Sequence, residues 1–420
     1  MSVNPFDPSF CKNPYPFYPA LLAEPPQRLP LFLPTILVAR YRDVVGVLAD
    51  HERFSSSMPP LPFLAKLSPF GGAPTLLLSN PPVHTRLRKV ATKCFRPSMI
   101  EKLGPRIRAV TDALLDGIAA KGEFDGVHDL AIPLPVAISA HLLGVPVEDQ
   151  PMLKTWSDEL FAAARKGLAI AGALMTGGDV GSAADGGADA TLSLLLDGSI
   201  PVNIADAIAG LREYFMRAVK RRQASPTDDL VSALVAALHE GVLDIDELLA
   251  FVVLMMFAGS ETTTNLIANA LLVLGTHRQQ CEELQSAREL IPSALEEILR
   301  YDSPVQMIMR YATEDTCLAG TSIPSGAPIV VMLGAANRDP MQFSRPERFD
   351  IRRSPNEHVA FGEGIHSCVG NQLGRLQGRI VIAALLERFP ALRLRDPDAP
   401  LDYEGSLVSR GLSALPMIAA

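Results

Sequence analysis

Apolar residues recur at helical spacing, stretch after stretch, from Pro82 to about Gln285, and this period predicts a helical core over roughly 82–300. The first sixty residues carry a different pattern, rich in proline and mixed in polarity. There, Leu31–Arg40 predicts a strand pair and Arg42–Asp50 a short helix, so this part is expected to be rich in β-structure. After Tyr301 the pattern changes to short strands such as Ile329–Leu333. A meander rich in Pro, Arg and Asp, 337–356, then leads into a glycine-rich loop that ends near residue 370. Two interruptions break the helical stretch or precede it. One is an apolar loop, Ser55–Asn80, whose large side chains want a partner or a ligand. The other is a run of small residues, Thr176–Ala188, expected to be flexible and mobile. No internal repeat or long linker marks a cut, which predicts a mainly α single domain over 1–420.

Composition narrows the class. With 420 residues, 48% of them hydrophobic and 20% charged, the chain can bury a large core. Its five cysteines are scattered and form no CxxC pair, which fits a reducing, cytoplasmic setting better than a disulfide framework. The N-terminal residues lack the basic and apolar segments of a signal peptide. The longest apolar run, Leu248–Gly259, is too short to span a bilayer, so no membrane association is expected. A net charge of −8 argues against a nucleic-acid partner. Against that background Arg86, Arg88, Lys89, Lys93, Arg375 and Arg379 fall in two short segments. Brought together by the fold, they would form a basic face suited to an acidic protein.

The candidate chemistry lies in four segments. In Phe361-Gly-Glu-Gly-Ile-His366-Ser-Cys368-Val-Gly370, the glycines permit a tight turn and close approach to a flat partner, and Cys368 immediately precedes a predicted helix start. A helix N-terminus favours thiolate over thiol, and a thiolate in such a loop is a plausible axial ligand for haem iron. In the helix predicted over Asp244–Leu274, Ala258-Gly259-Ser-Glu261-Thr262-Thr263 places small residues and hydroxyls mid-helix beside an acid, a pattern for either a proton relay or a simple kink. Glu297 and Arg300 share a helix face and could be an ordinary ion pair. His84 and Arg88 share another face, and with Arg310 and His366 they would supply donors for the two carboxylates of a haem.

Taken in chain order, these segments strongly resemble the cytochrome P450 haem-thiolate monooxygenases of the soluble bacterial kind. Further pieces of the resemblance are Asn80-Pro-Pro-Val-His84, Arg310-Tyr-Ala and Ala336-Asn-Arg-Asp-Pro340. The resemblance implies a helical triangular prism with small β-sheets, haem b as cofactor, and Cys368 as both the metal ligand and a catalytic group. It makes Phe361 the shield of the thiolate and Glu261 and Thr262 the proton-delivering pair. His84, Arg88, Arg310 and His366 would contact the propionates, while Ala258, Gly259, Gly362 and Gly370 would let the ring lie close. Glu297 and Arg300 would lock helix to meander, with Arg348 as the third member of that network; His358 receives no role. The implied reaction inserts one oxygen atom from O2 into a lipophilic small molecule. Its electrons would come from NAD(P)H through a separate ferredoxin or flavodoxin docked at the basic face. The alternatives are a peroxide-driven peroxygenase of the same fold and a non-catalytic haem-binding sensor or carrier. Expected pocket segments are Leu61–Leu78, Leu254 and Phe257, Val305–Ile308 with Gln306 as a polar exception, and Leu407-Val408. Arg165-Lys166 could clamp a carboxylate, and the insert within 176–188 lies where family members place a mobile lid, so it is expected to change order on ligand binding.

Overall fold

Prolines cut the N-terminal part into short pieces, and several of them start helices rather than extend strands. The computed structural model describes residues 3–31, 34–58, 70, 72–156, 159, 202–405 and 408–420. In it α1 (Pro8–Lys12) opens with Pro8 behind an Asp7 cap that accepts from the Ser9 N–H, and α2 (Tyr18–Ala23) also carries proline in its first turn. A third helix, α3 (Tyr41–Ala49), matches the one expected there. The strands among them are only β1 (Gln27–Arg28), β2 (Ile36–Val38) and β3 (Phe54–Ser55), so the first sixty residues are not the β-rich part that was expected. The expected strand pair over 31–40 is a single strand, β2, whose antiparallel partner β1 lies upstream (Gln27 opposite Leu37).

Two strands from the far half of the chain complete the sheet. With β4 (Ile308–Ala312) and β5 (Pro328–Val331) the order is β1-β2-β5-β4-β3, β2 and β5 being parallel and the other pairs antiparallel. β2 and β5 are buried throughout, so the sheet ties the N-terminal segment to the region that follows Tyr301.

The helical core comprises α4 (Val83–Cys94), α5 (Gly104–Lys121), α6 (Pro133–Leu142), α7 (Val202–Ala224), α8 (Ile245–Thr276), α9 (Ile291–Tyr301) and α10 (Asn371–Arg388). α8 is the central element and packs against α6, α7, α9 and α10. Its start is fixed by a capping box: Asp244 accepts from the Glu247 N–H at 2.8 Å, and Glu247 accepts from the Asp244 N–H at 3.1 Å. It is buried from Leu248 to Met256 and again from Asn265 to Leu274, but between them Ala258 is exposed and Gly259 to Thr262 are half-buried. A helix at the centre of the molecule that bares small residues at its middle borders a hollow.

Among the described residues no helix is long and apolar enough to cross a membrane. The expected lid at 176–188, residues 61–69 of the apolar loop, Arg165, Lys166 and Leu407 lie outside the described residues.

Candidate functional site

The cysteine loop is held by its own backbone and by α3. Gly362 and Gly364 adopt φ of 70° and 71°, where side chains with a Cβ are strained. A Cβ on Gly364 would also sit 2.6 Å from the Leu48 carbonyl oxygen, so this glycine lets the loop press onto the end of α3. The Cys368 N–H donates to the Phe361 carbonyl at 2.8 Å, closing the loop. On the other side, Asn371 Nδ2 at the start of α10 donates to the Cys368 carbonyl at 2.6 Å. Cys368 is accessible, yet the protein around it desolvates the thiol and raises its pKa above 9.0. The Gly370 N–H and the charges of Arg88 and Arg375 pull the other way. The helix start therefore does not make the free thiol acidic, as the sequence suggested, because burial outweighs it.

Facing this loop is a cluster of donors with too few acceptors. The rings of His84 and His366 meet at a tilt of 52° with centroids 4.3 Å apart, and Nε2 of each is buried without a hydrogen-bond partner among the described residues. Arg310 is buried, and among the described residues its guanidinium donates to the adjacent Met309 carbonyl, at 2.9 Å; burial lowers its pKa to about 10. Burial, reinforced by the neighbouring His84 and Arg310, pushes His366 down to about 3. Arg88 is drawn inward and donates to the Ser367 carbonyl at 2.6 Å. Such a set is costly in an empty protein and suits a ligand bearing two carboxylates. The four residues singled out from the sequence thus converge, and they fit the propionates of a haem whose iron would lie at Cys368.

The mid-helix pair on α8 divides its attention. Thr262 Oγ1 donates to the Ala258 carbonyl at 2.7 Å, the back-bond that loosens a helix turn. Glu261 does not bond to Thr262; it accepts from Ser409 Oγ at 2.5 Å. It lines a cavity of about 250 Å³ between α8, α6 and the strand Arg410–Leu412, with Asn265, Ser139 and Lys154 also on its walls.

Behind the loop lie two ion-pair networks. Glu297 and Arg300 are fully buried, paired at 2.7 Å, and Arg300 also donates to the carbonyls of Asn337, Pro346 and Arg348. The third charged member is Arg353, 3.0 Å from Glu297, and not Arg348, which contributes only its backbone oxygen. The second network was not foreseen. Arg375 makes a two-pronged pair with Glu296 (2.8 Å each), His358 Nε2 lies 3.0 Å from the same carboxylate, and the Arg375 guanidinium stacks 4.5 Å over the Phe361 ring. Burial alone would raise the Glu296 pKa, but bonds from His358 and Arg375 hold it down to about 2.

Of the expected basic face, Arg86 is committed to Glu247 and Arg375 to Glu296, while Lys89 and Lys93 remain exposed and Arg379 half-exposed. Gln306 leaves the pocket lining: Tyr18 donates to its carbonyl oxygen, and its amide donates to the Ser303 carbonyl at 2.7 Å.

Comparison with known proteins agrees with this architecture. Residues 195–412 match the family model for cytochrome P450. The chain is 35% identical to cytochrome P450 107B1 of Saccharopolyspora erythraea, over 98% of this chain and 96% of that protein. It is 36% identical to the vitamin D(3) 25-hydroxylase of Pseudonocardia autotrophica, over 98% and 95%. Among solved structures, the polyketide synthase cytochrome P450 PksS of Bacillus subtilis superposes with a TM-score of 0.84 at 32% identity, covering 100% of both chains. P450BioI, solved in complex with an acyl carrier protein bearing hexadec-9Z-enoic acid, does so at 0.83 and 34%, over 98% and 100%.

Proposed function

Because this chain belongs to the cytochrome P450 family, whose members bind haem iron and draw on NAD(P)H through redox partners, we propose that it is a monooxygenase in which Cys368 ligates the iron. The observation that carries this reading is the convergence of Arg310 with the buried rings of His84 and His366, whose Nε2 atoms have no hydrogen-bond partner among the described residues, beside the cysteine loop. They would hold the propionates together with Arg88, and exposed Ala258 on one side and Gly362 and Gly370 on the other would leave the ring room, whereas Gly259 turns toward Ser139, which a Cβ there would approach to 3.1 Å. Coordination would keep Cys368 as thiolate despite its burial. Bound there, haem supplies the electron-transfer and O2 chemistry that no side chain can.

The protein's own part is orientation and proton supply. Thr262 donates its hydroxyl to the Ala258 carbonyl, and Glu261 reaches the cavity behind α8; for Glu261 to pass a proton on to Thr262 its carboxylate would have to turn away from Ser409. Phe361 covers the thiolate, and Cys368 is tied through its N–H to that residue. The substrate side is apolar, with Leu254, Val305, Ile308 and Val408 as candidate lining, which favours a lipophilic molecule. Electrons arrive from a separate acidic ferredoxin or flavodoxin at the face that carries Lys89, Lys93 and Arg379, and the setting is cytoplasmic.

The test is the carbon-monoxide difference spectrum of the reduced, haem-loaded protein. A long-wavelength Soret band characteristic of thiolate ligation is expected, and its loss in Cys368→Ser. A short-wavelength band in the unaltered protein would overturn the assignment. Turnover with peroxide alone, and none with a ferredoxin and its reductase, would move the reading to a peroxygenase.

A further inference from the structure

We infer that the Glu296–Arg375 ion pair sets the reduction potential of the iron, acting on Cys368 through Phe361 and Asn371. The inference rests on Cys368 being the ligand. Two arms lead from Arg375 to that cysteine. Its guanidinium stacks on the Phe361 ring at 4.5 Å, and the Phe361 carbonyl accepts the Cys368 N–H at 2.8 Å. Its Nη1 donates to Asn371 Oδ1 at 2.9 Å, and Asn371 Nδ2 donates to the Cys368 carbonyl at 2.6 Å. The remaining donors of the guanidinium go to the two Glu296 oxygens. Glu296 is held in turn by His358, whose Nδ1 accepts the Ala360 N–H at 3.2 Å and whose Nε2 therefore bears the proton it donates. The orientation of the charge relative to the loop is thus fixed from both ends.

The electrostatics have a definite sign. Arg375 is the nearer charge, one residue away from Cys368 along each arm, so its positive charge favours an anionic sulfur, and Glu296 lies one link beyond it. A field that favours a charged sulfur also favours the reduced iron, which carries one more electron. Glu296 offsets part of that field. Arg375 and Glu296 are therefore positioning and tuning residues with opposite effects: loss of the cation lowers the potential, and loss of the anion raises it. A pair that merely braced the loop would behave otherwise, since breaking it from either side would loosen Phe361 and shift the potential in one direction.

The experiment is equilibrium redox titration of the haem-loaded protein and of Arg375→Gln, Arg375→Lys and Glu296→Gln, each checked for the thiolate carbon-monoxide band. Arg375→Gln should disfavour reduction and Glu296→Gln favour it, each by on the order of tenfold in the equilibrium between oxidised and reduced iron. Arg375→Lys keeps the charge and should stay near the unaltered protein. Shifts of the same sign in Arg375→Gln and Glu296→Gln, no shift in Glu296→Gln, or an Arg375→Lys value as low as that of Arg375→Gln would overturn the inference. Should Arg375→Gln fail to hold haem, the Glu296→Gln and Arg375→Lys values still decide it. Absence of the thiolate band in the unaltered protein would instead refute the ligand assignment.

Discussion

Arg310 shows how a single residue can be arranged for a partner at the expense of the empty protein. Its guanidinium has several donors, and among the described residues the neighbouring Met309 carbonyl receives one. Burial lowers its pKa well below the usual arginine range, to about 10, so keeping it charged in the haem-free state is unfavourable by about 3 kcal/mol. Replacing it by an apolar residue should therefore act with opposite signs on two quantities. In Arg310→Leu the haem-free protein should gain on the order of 1–3 kcal/mol against denaturant. Haem affinity should fall roughly tenfold or more, because a propionate is left without its buried counter-charge. Unfolding curves of the apoprotein and competitive haem transfer measure the two. A loss of apoprotein stability would show that Arg310 is already satisfied without the cofactor.

At the scale of elements, α8 brings a capping box, an apolar shaft and a weakened middle into one helix, and the proposed chemistry falls to the middle. Thr262→Ala removes a hydroxyl that bonds to the Ala258 carbonyl and leaves the packing above and below intact. The helix and the carbon-monoxide band should persist, while product formed per NAD(P)H consumed falls by about tenfold or more, with the difference released as peroxide. Equal coupling in the variant would place proton delivery elsewhere. The α9–meander lock makes the complementary structural case: Arg353→Ala leaves the fully buried Glu297 with one cation instead of two and should cost about 2–4 kcal/mol of stability. α8 and the donors on α4 were legible in the sequence because helical period converts spacing into a shared face. Arg353 was missed in favour of Arg348, and His358 was left unassigned, because no period links sequence distance to direction in a meander. The N-terminal strands were misjudged for a related reason. Strands of two or three residues are too short to show alternation, and proline in a first turn starts a helix as readily as it marks a loop.

Over the whole molecule, charge governs both association and acid stability. With a net charge of −8, the proposed acidic electron donor would be repelled from most of the surface and admitted where Lys89 and Lys93 stand exposed. The double variant Lys89→Glu/Lys93→Glu should slow reduction by a ferredoxin by about tenfold or more at low salt and lose most of its salt dependence. Reduction by dithionite should be unchanged. The acid limb of stability follows from Glu296. Its folded-state pKa, about 2, lies below the ordinary 4.5, so folding favours its charged form. That contribution is fully present above pH 4.5 and is lost as the pH falls toward 2, amounting to about 3 kcal/mol. In Glu296→Gln the carboxylate is gone at every pH. The variant should be less stable than the parent at pH 7 by about that amount, and the two should converge as the pH approaches 2. The measurement is denaturant unfolding of both proteins between pH 7 and the lowest pH at which each remains reversible. A gap that stays constant through this window would mean that the bonds from Arg375 and His358 do not depend on the charge of Glu296.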